Sequence, residues 1–257
     1  MTRETIERGL RDKGLSKGEV KSLERRLFLR QGLSLGALTL LSGCDGIANT
    51  RPVDSFLRMI SSFNDGVQGF LFNPNKLAPT FAESLAAPEF RFNAQYGLDG
   101  VPNINPATWR LEVSGLVADK QPWTLDRLRA LPQRADVTRH VCVEGWSMIG
   151  KWGGVPLRTF LERVGADMMA KYVAFRCDDP ISYTTSIDMA SALHPQTILC
   201  LTYRDQPITA PFGAPMRVKI PTKLGFKQPK YVTSIDVTNT YPAGYWENYG
   251  YNWFAGL

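Results

Sequence analysis

The sequence predicts a mixed α+β body. Two observations lead there. Short strand-like runs, alternating or wholly apolar, recur between residues 109 and 237. Between some of them stand short capped helical runs, and irregular loops supply the remaining connections. At 257 residues the chain can bury one sizeable core or two small ones.

Residues 109–115, Trp-Arg-Leu-Glu-Val-Ser-Gly, alternate as a half-buried strand and end at a turn glycine. Residues 124–131 carry a Thr cap and a helical period that Pro132 stops. Residues 137–143 read as a strand ending at Cys142-Val143. Residues 157–164 read as a helix that opens after Pro156 and closes at Gly165. A strand over 171–176, a short helix over 187–193, and strands over 198–203, 216–220 and 231–237 complete the body. Residues 45–88 read as a tether and wrapping segment, with turn signals at Asn64-Asp65-Gly66 and Asn73-Pro74-Asn75. The body is set at 89–257.

The net charge of +6 is concentrated at the start of the chain. Residues 1–30 hold nine Lys/Arg against five Asp/Glu, and the remainder holds 21 against 19. A near-neutral body does not suit a nucleic-acid surface. Glu24-Arg25-Arg26-Leu27-Phe28-Leu29-Arg30 is close to the twin-arginine export pattern, and an uncharged run, 31–43, follows it. Thirteen uncharged residues fall short of the roughly 20 that span a bilayer. The run ends in Leu40-Leu41-Ser42-Gly43-Cys44, which resembles a lipobox. Residues 1–44 are therefore expected to be a twin-arginine signal peptide with lipid attachment at Cys44. The expected location is the periplasmic side of a bacterial inner membrane. That export route is often used for proteins that fold around a cofactor.

The densest chemistry lies in Cys142-Val143-Glu144-Gly145-Trp146-Ser147-Met148. A thiolate suits a soft or high-valent metal, and a carboxylate and indole can shape the pocket around it. For the thiol taken alone, a buried core cysteine is the better account. Gly145 to Lys151 has the spacing of a phosphate loop, but Trp152 stands where Ser or Thr would reach magnesium. No G-x-G-x-x-G follows a strand, no C-x-x-C-H is present, and the two histidines, His140 and His194, form no zinc pattern. Whether Cys177 and Cys200 pair stays open.

The cysteine block resembles the cysteine motif of the molybdopterin-dependent oxidoreductases of the sulfite oxidase superfamily, nearest to the catalytic subunits of periplasmic methionine-sulfoxide reductases. Lys171-Tyr172-Val173-Ala174-Phe175, Leu193-His194-Pro195, Gly213-Ala214-Pro215-Met216-Arg217-Val218 and Leu224-Gly225-Phe226-Lys227 continue the likeness in order. The resemblance implies that fold, and a Mo-molybdopterin in its mononucleotide-free form. It implies Cys142 as the metal ligand and Glu144 beside it at the catalytic centre. It further implies Asn93, Tyr96, Gly97, Cys177, Arg217, Lys227, Gln228 and Lys230 around the cofactor.

Departures are visible. Gly97 replaces the family's acid, Cys177 replaces a Thr, and Phe212 replaces an Asn or His. Sulfite-oxidising relatives carry arginines just after their cysteine, whereas here Glu144 stands there. The expected reaction is removal of oxygen from a neutral S-oxide or N-oxide, small or protein-bound, with methionine sulfoxide the first candidate. The alternatives are sulfite-oxidase-like oxidation and a non-catalytic ligand-binding lipoprotein. The chain has no haem, flavin or iron–sulfur motif of its own. Electrons are expected from a membrane haem b subunit or a c-type cytochrome.

Overall fold

A computed structural model describes residues 51–257; Arg25, Arg26 and Cys44 lie outside the described residues. Ser61–Leu257 form one compact unit. The first element is helix α1 (Arg51–Leu71), where the sequence signals a loop at Asn64-Asp65-Gly66. Apolar residues at Phe56, Ile60, Phe63, Val67 and Phe70 keep a three-to-four spacing through that point. Its glycines, Gly66 and Gly69, cost about 1 kcal/mol each, too little to break a period sustained over 21 residues.

Residues 72–88 lie on the body as an extended strap. Phe72 packs on His194 and Phe254, Thr80 bridges to Thr138, and the Ala87 N–H donates to the Ile149 carbonyl at 2.9 Å.

Two sheets follow. The first has the order β1 (Glu112–Gly115), β9 (Val232–Thr238), β4 (Tyr172–Cys177), β5 (Thr184–Asp188). Here β1 and β9 run parallel, and β4 pairs antiparallel with both β9 and β5. The second sheet is antiparallel, with the order β2 (Arg134–Val141), β3 (Ser147–Pro156), β6 (Ile198–Tyr203), β7 (Gln206–Pro207). Strand β8 (Arg217–Lys219) also pairs with β6.

Helix α2 (Leu125–Arg129) starts where expected, with the Thr124 hydroxyl accepting from the Arg127 N–H at 3.2 Å. Helix α3 (Leu157–Arg163) follows Pro156 and turns off at Gly165, whose φ of +63° suits glycine. The expected helix over 187–193 divides instead: β5 runs to Asp188, whose side chain then caps α4 (Met189–Ala192). The last helix, α5 (Tyr245–Asn248), is a single turn.

The main core lies between the first sheet, α2 and α3, around Leu128, Phe160, Val173 and Ile235. A smaller cluster of Phe90, Trp152, Ile198, Cys200, Tyr203 and Ile208 supports the β2–β3 hairpin, with Trp146 and Phe212 packed against it. That hairpin carries Cys142.

Candidate active site

Strand β2 stops one residue before Cys142, and β3 begins at Ser147. The turn is closed by two hydrogen bonds. The Gly145 N–H donates to the Cys142 carbonyl at 3.2 Å, and the Cys142 N–H donates to the Trp146 carbonyl at 2.9 Å. Gly145 has φ +87°, a left-handed value that glycine adopts without steric cost. The turn leaves Cys142 only 4% exposed, with Asn93 Nδ2 3.6 Å from its sulfur. Burial pushes the thiol above its ordinary range, and the Glu144 carboxylate adds to that; the Glu144 N–H and Asn93 act the other way. Glu144 itself is exposed and accepts the Trp146 indole N–H at 2.8 Å.

The thiol opens on a cavity of about 230 Å³. Its walls include Asn93, Tyr96, Glu144, Arg217, Gln228 and Lys230. A wider, shallower depression of about 670 Å³ lies around Asn103, Arg110 and Asp178, but no thiol or buried lysine reaches it.

Cations gather in the cavity wall, at Arg217 and Lys230, and behind it, at Lys219. Arg217 on β8 donates to the carbonyls of Phe212 at 3.1 Å and Gln228 at 3.3 Å. Lys219 donates to Gln228 Oε1 at 2.8 Å and lies 3.4 Å from His140 Nδ1. Lys230 donates to the Asn93 carbonyl at 2.8 Å. Burial, and then repulsion by Arg217, push Lys230 down to about 7 and Lys219 well below its ordinary range. Burial likewise keeps His140 neutral, with Lys219 and Arg217 adding to the effect. Among the described residues, the buried ion pairs are Lys223–Asp188 and Lys227–Glu247, and neither engages Arg217, Lys219 or Lys230. Arg217 Nε and His140 Nε2 are buried without a hydrogen-bond partner. Buried cations and donors left in this state call for an anionic ligand that accepts several hydrogen bonds. A phosphate-bearing pterin beside a single thiol fits that donor set. Among the described residues no three His, Cys, Asp or Glu side chains cluster as a metal site.

Gly225 shows how closely this wall is built: a Cβ there would come within 2.6 Å of His140 Nε2.

Of the residues expected around the cofactor, Asn93, Tyr96, Arg217, Gln228 and Lys230 line the cavity with Cys142 and Glu144. Three do not. Gly97 is exposed and stands outside the lining. Cys177 is buried at the end of β4, its thiol raised by burial. Lys227 is fully buried and pairs with Glu247, so its ammonium is already engaged. Cys142, Cys177 and Cys200 are all free thiols.

The structure also brings in residues that sequence reasoning passed over. Asp179 and Tyr183 come from the β4–β5 loop, Phe226 precedes Lys227, and Trp246 and Tyr251 come from the C-terminal segment. Asp179 accepts from the Tyr183 N–H at 2.7 Å and from the Tyr96 hydroxyl at 3.4 Å, and burial raises its carboxyl. The one available signal was the Asp178-Asp179-Pro180 turn after an apolar strand.

A mixed fold with a thiol and buried cations at one cavity suits a redox protein that holds an anionic cofactor. Residues 98–246 match the oxidoreductase molybdopterin binding domain, and the chain belongs to that family. A protein of Azospira oryzae, provisionally named protein-methionine-sulfoxide reductase subunit YedZ1, is 58% identical over 90% of this chain and 87% of its own. The protein-methionine-sulfoxide reductase catalytic subunit MsrP of Campylobacter jejuni is 28% identical over 72% of this chain and 70% of its own. The MsrP of Burkholderia mallei is 34% identical over 58% and 49%. The crystal structure of the sulfane dehydrogenase SoxCD from Paracoccus pantotrophus superposes with a TM-score of 0.52 at 19% identity, over 55% of this chain and 41% of that one. That likeness shows a shared fold, and the family makes the chain a molybdopterin-binding oxidoreductase.

Proposed function

We propose that the protein removes an oxygen atom from a neutral S-oxide or N-oxide, with protein-bound methionine sulfoxide the first candidate. The observation that carries this reading is the change of charge with depth at the cavity. Arg217 and Lys219 are 2% and 1% exposed, whereas Glu144 stands exposed beside Cys142. An anionic substrate such as sulfite would meet that carboxylate first; an uncharged oxide would not be repelled. The relatives named as methionine-sulfoxide reductases support the same choice.

Cys142 would hold the molybdenum, and Arg217, Gln228 and Lys230 would hold the pterin and its phosphate, with Asn93 and Tyr96 as further hydrogen-bond partners. Bound molybdopterin supplies two-electron redox chemistry and oxygen-atom transfer. Reduction of a sulfoxide to a thioether and water consumes two electrons and two protons. Asp179, its carboxyl raised by burial and accepting from the Tyr96 hydroxyl, is a cavity group placed to exchange a proton there. Phe226 and Trp246 give the cavity an apolar wall for a methyl thioether. The mononucleotide-free form, the smaller one, is the cofactor that a cavity of about 230 Å³ favours. Electrons come from a membrane haem protein or a c-type cytochrome. The chain is exported by the twin-arginine route and anchored through Cys44 on the periplasmic side.

The test is steady-state turnover with a reduced viologen donor, alongside elemental analysis. Loaded protein should reduce methionine sulfoxide and leave sulfite essentially unoxidised, and Cys142→Ser should lack both molybdenum and activity. Efficient sulfite oxidation, or full molybdenum loading with no oxide turned over, refutes the reading.

A further inference from the structure

The second half of helix α1, residues 61–71, turns its polar side to the body. Asp65 Oδ1 accepts from Asn252 Nδ2 at 2.7 Å and from the Phe254 N–H at 3.0 Å. Gly69 lies on the same side, where an added Cβ would sit 3.8 Å from the Phe254 ring. The opposite side carries Phe63, Val67 and Phe70, which are 67%, 40% and 89% exposed. None of the helix's residues is buried. At 100° per residue the same apolar stripe runs back through Ile60, Met59 and Phe56, all exposed. The helix's charges, Arg51, Asp54, Arg58 and Asp65, fall on the other half and cancel. A helix that packs on a domain buries its apolar face; this one leaves that face in water. An apolar patch of that extent marks a surface with an occupant.

The position of α1 in the chain indicates which one. Seven residue steps separate Arg51 from Cys44, a reach of at most about 25 Å even when fully extended. A lipid on Cys44 keeps the start of the helix within that distance of the acyl chains. The helix is not apolar enough to cross the membrane. A long amphipathic helix with one uninterrupted apolar face lies in the interface instead.

We propose that α1 lies flat in the interfacial layer of a lipid bilayer, its Phe56-to-Phe70 stripe among the acyl chains, and carries the body by its polar side. This inference uses the Cys44 anchor and is independent of the reaction.

The test uses the purified full-length protein in vesicles of phosphatidylethanolamine and phosphatidylglycerol with brominated acyl chains. Phe70→Trp places a tryptophan on the apolar stripe, and Ser62→Trp places one on the polar side as the control. The emission added by Phe70→Trp should be quenched about twofold or more by bromines near the glycerol end of the chains, while that of Ser62→Trp is unchanged. A lipid anchor with α1 off the membrane leaves both unquenched, which overturns the proposal. So does a second outcome: light scattering that shows a dimer without vesicles which Phe63→Ser dissociates, because the stripe is then covered by another copy.

Discussion

Lys227 is where the family likeness and the structure assign different work to one side chain, and a pair of substitutions separates them. Lys227 ends the turn Gly225–Lys227, which contributes Gly225 and Phe226 to the cavity wall. Its ammonium pairs with Glu247 on α5, whose neighbour Trp246 stands in the same wall. Thr185 donates to Glu247 Oε1 at 2.8 Å, and the Tyr183 hydroxyl donates to the Phe226 carbonyl. The pair therefore ties two walls together. Burial lowers the Lys227 pKa while Glu247 holds it up, so the partners depend on each other. Lys227→Met leaves a carboxylate that is 2% exposed with no cation, at a cost of about 3–5 kcal/mol. For a folded body of roughly 200 residues that is about 7–12 °C in Tm. Adding Glu247→Leu removes the stranded charge and should recover most of the loss, since apolar replacements of buried pairs are often near neutral. Scanning calorimetry and molybdenum content on the wild type, the single and the double variant form the assay. If the pair is a staple, stability and loading return together in the double variant. A single variant as stable as wild type refutes the reasoning. A double variant that recovers stability but stays empty gives Lys227 to the cofactor.

Two further outcomes follow from the same structure and two from the sequence of the leader. Lys230 falls from 10.5 to about 7 in the cofactor-free fold, so above pH 7 it must regain a proton before it can pair with phosphate. Pterin affinity should drop up to about tenfold per pH unit above 7, and the empty fold should lose stability as pH falls from 10.5 towards 7. Calorimetry in two buffers of different ionisation enthalpy reads the proton uptake, and none at pH 8 contradicts the assignment. Gly225→Ala drives a methyl to within 2.6 Å of His140 Nε2 and should cost about 1–3 kcal/mol and lower cofactor occupancy; an unchanged melting temperature counts against the contact. Replacing Arg25 and Arg26 together by Lys should strand precursor in the cytoplasm. Cys44→Ala should abolish palmitate labelling, and a wild type that never takes the label ends the lipoprotein reading.

Strands β4, β6 and β9 were legible in the sequence because each is an apolar or alternating run that faces the core. Strand β3 was not. Its Gly150, Gly153 and Gly154 resemble a loop, and their purpose appears only once β6 is beside them. A Cβ at Gly150 would meet the Tyr203 ring at 2.7 Å, and the register shifts by a bulge between Gly153 and Gly154. Helix α1 was hidden by a local turn signal that its period outweighs. At the site, Cys142 and Arg217 sit in motifs with fixed neighbours, so they could be read directly. Lys219, His140 and Asp179 could not, since what distinguishes each is the company it keeps across strands: two cations with no carboxylate, a histidine wedged on a glycine, an acid under two tyrosines.

Those unread residues are also the ones that decide the substrate argument. From sequence alone, Glu144 is the one carboxylate set against anionic substrates, and Gly97 is a departure from the family's acid. The structure places Gly97 outside the cavity and Asp179 inside it, with Tyr96, from the same segment as Gly97, in contact with Asp179. An acid is therefore present although the motif position is empty. Two carboxyl groups at the cavity, against Arg217 and Lys230 in its wall and Lys219 behind them, divide the site by charge. The cationic part matches a phosphate and the acidic part opposes sulfite. Removing the acidic part should therefore change selectivity before it changes loading. Glu144→Gln with Asp179→Asn should keep molybdenum and weaken the preference for methionine sulfoxide over sulfite. If sulfite oxidation stays negligible while sulfoxide turnover also persists unchanged, the carboxyl groups are not what excludes the anion, and the charge argument for a neutral substrate fails.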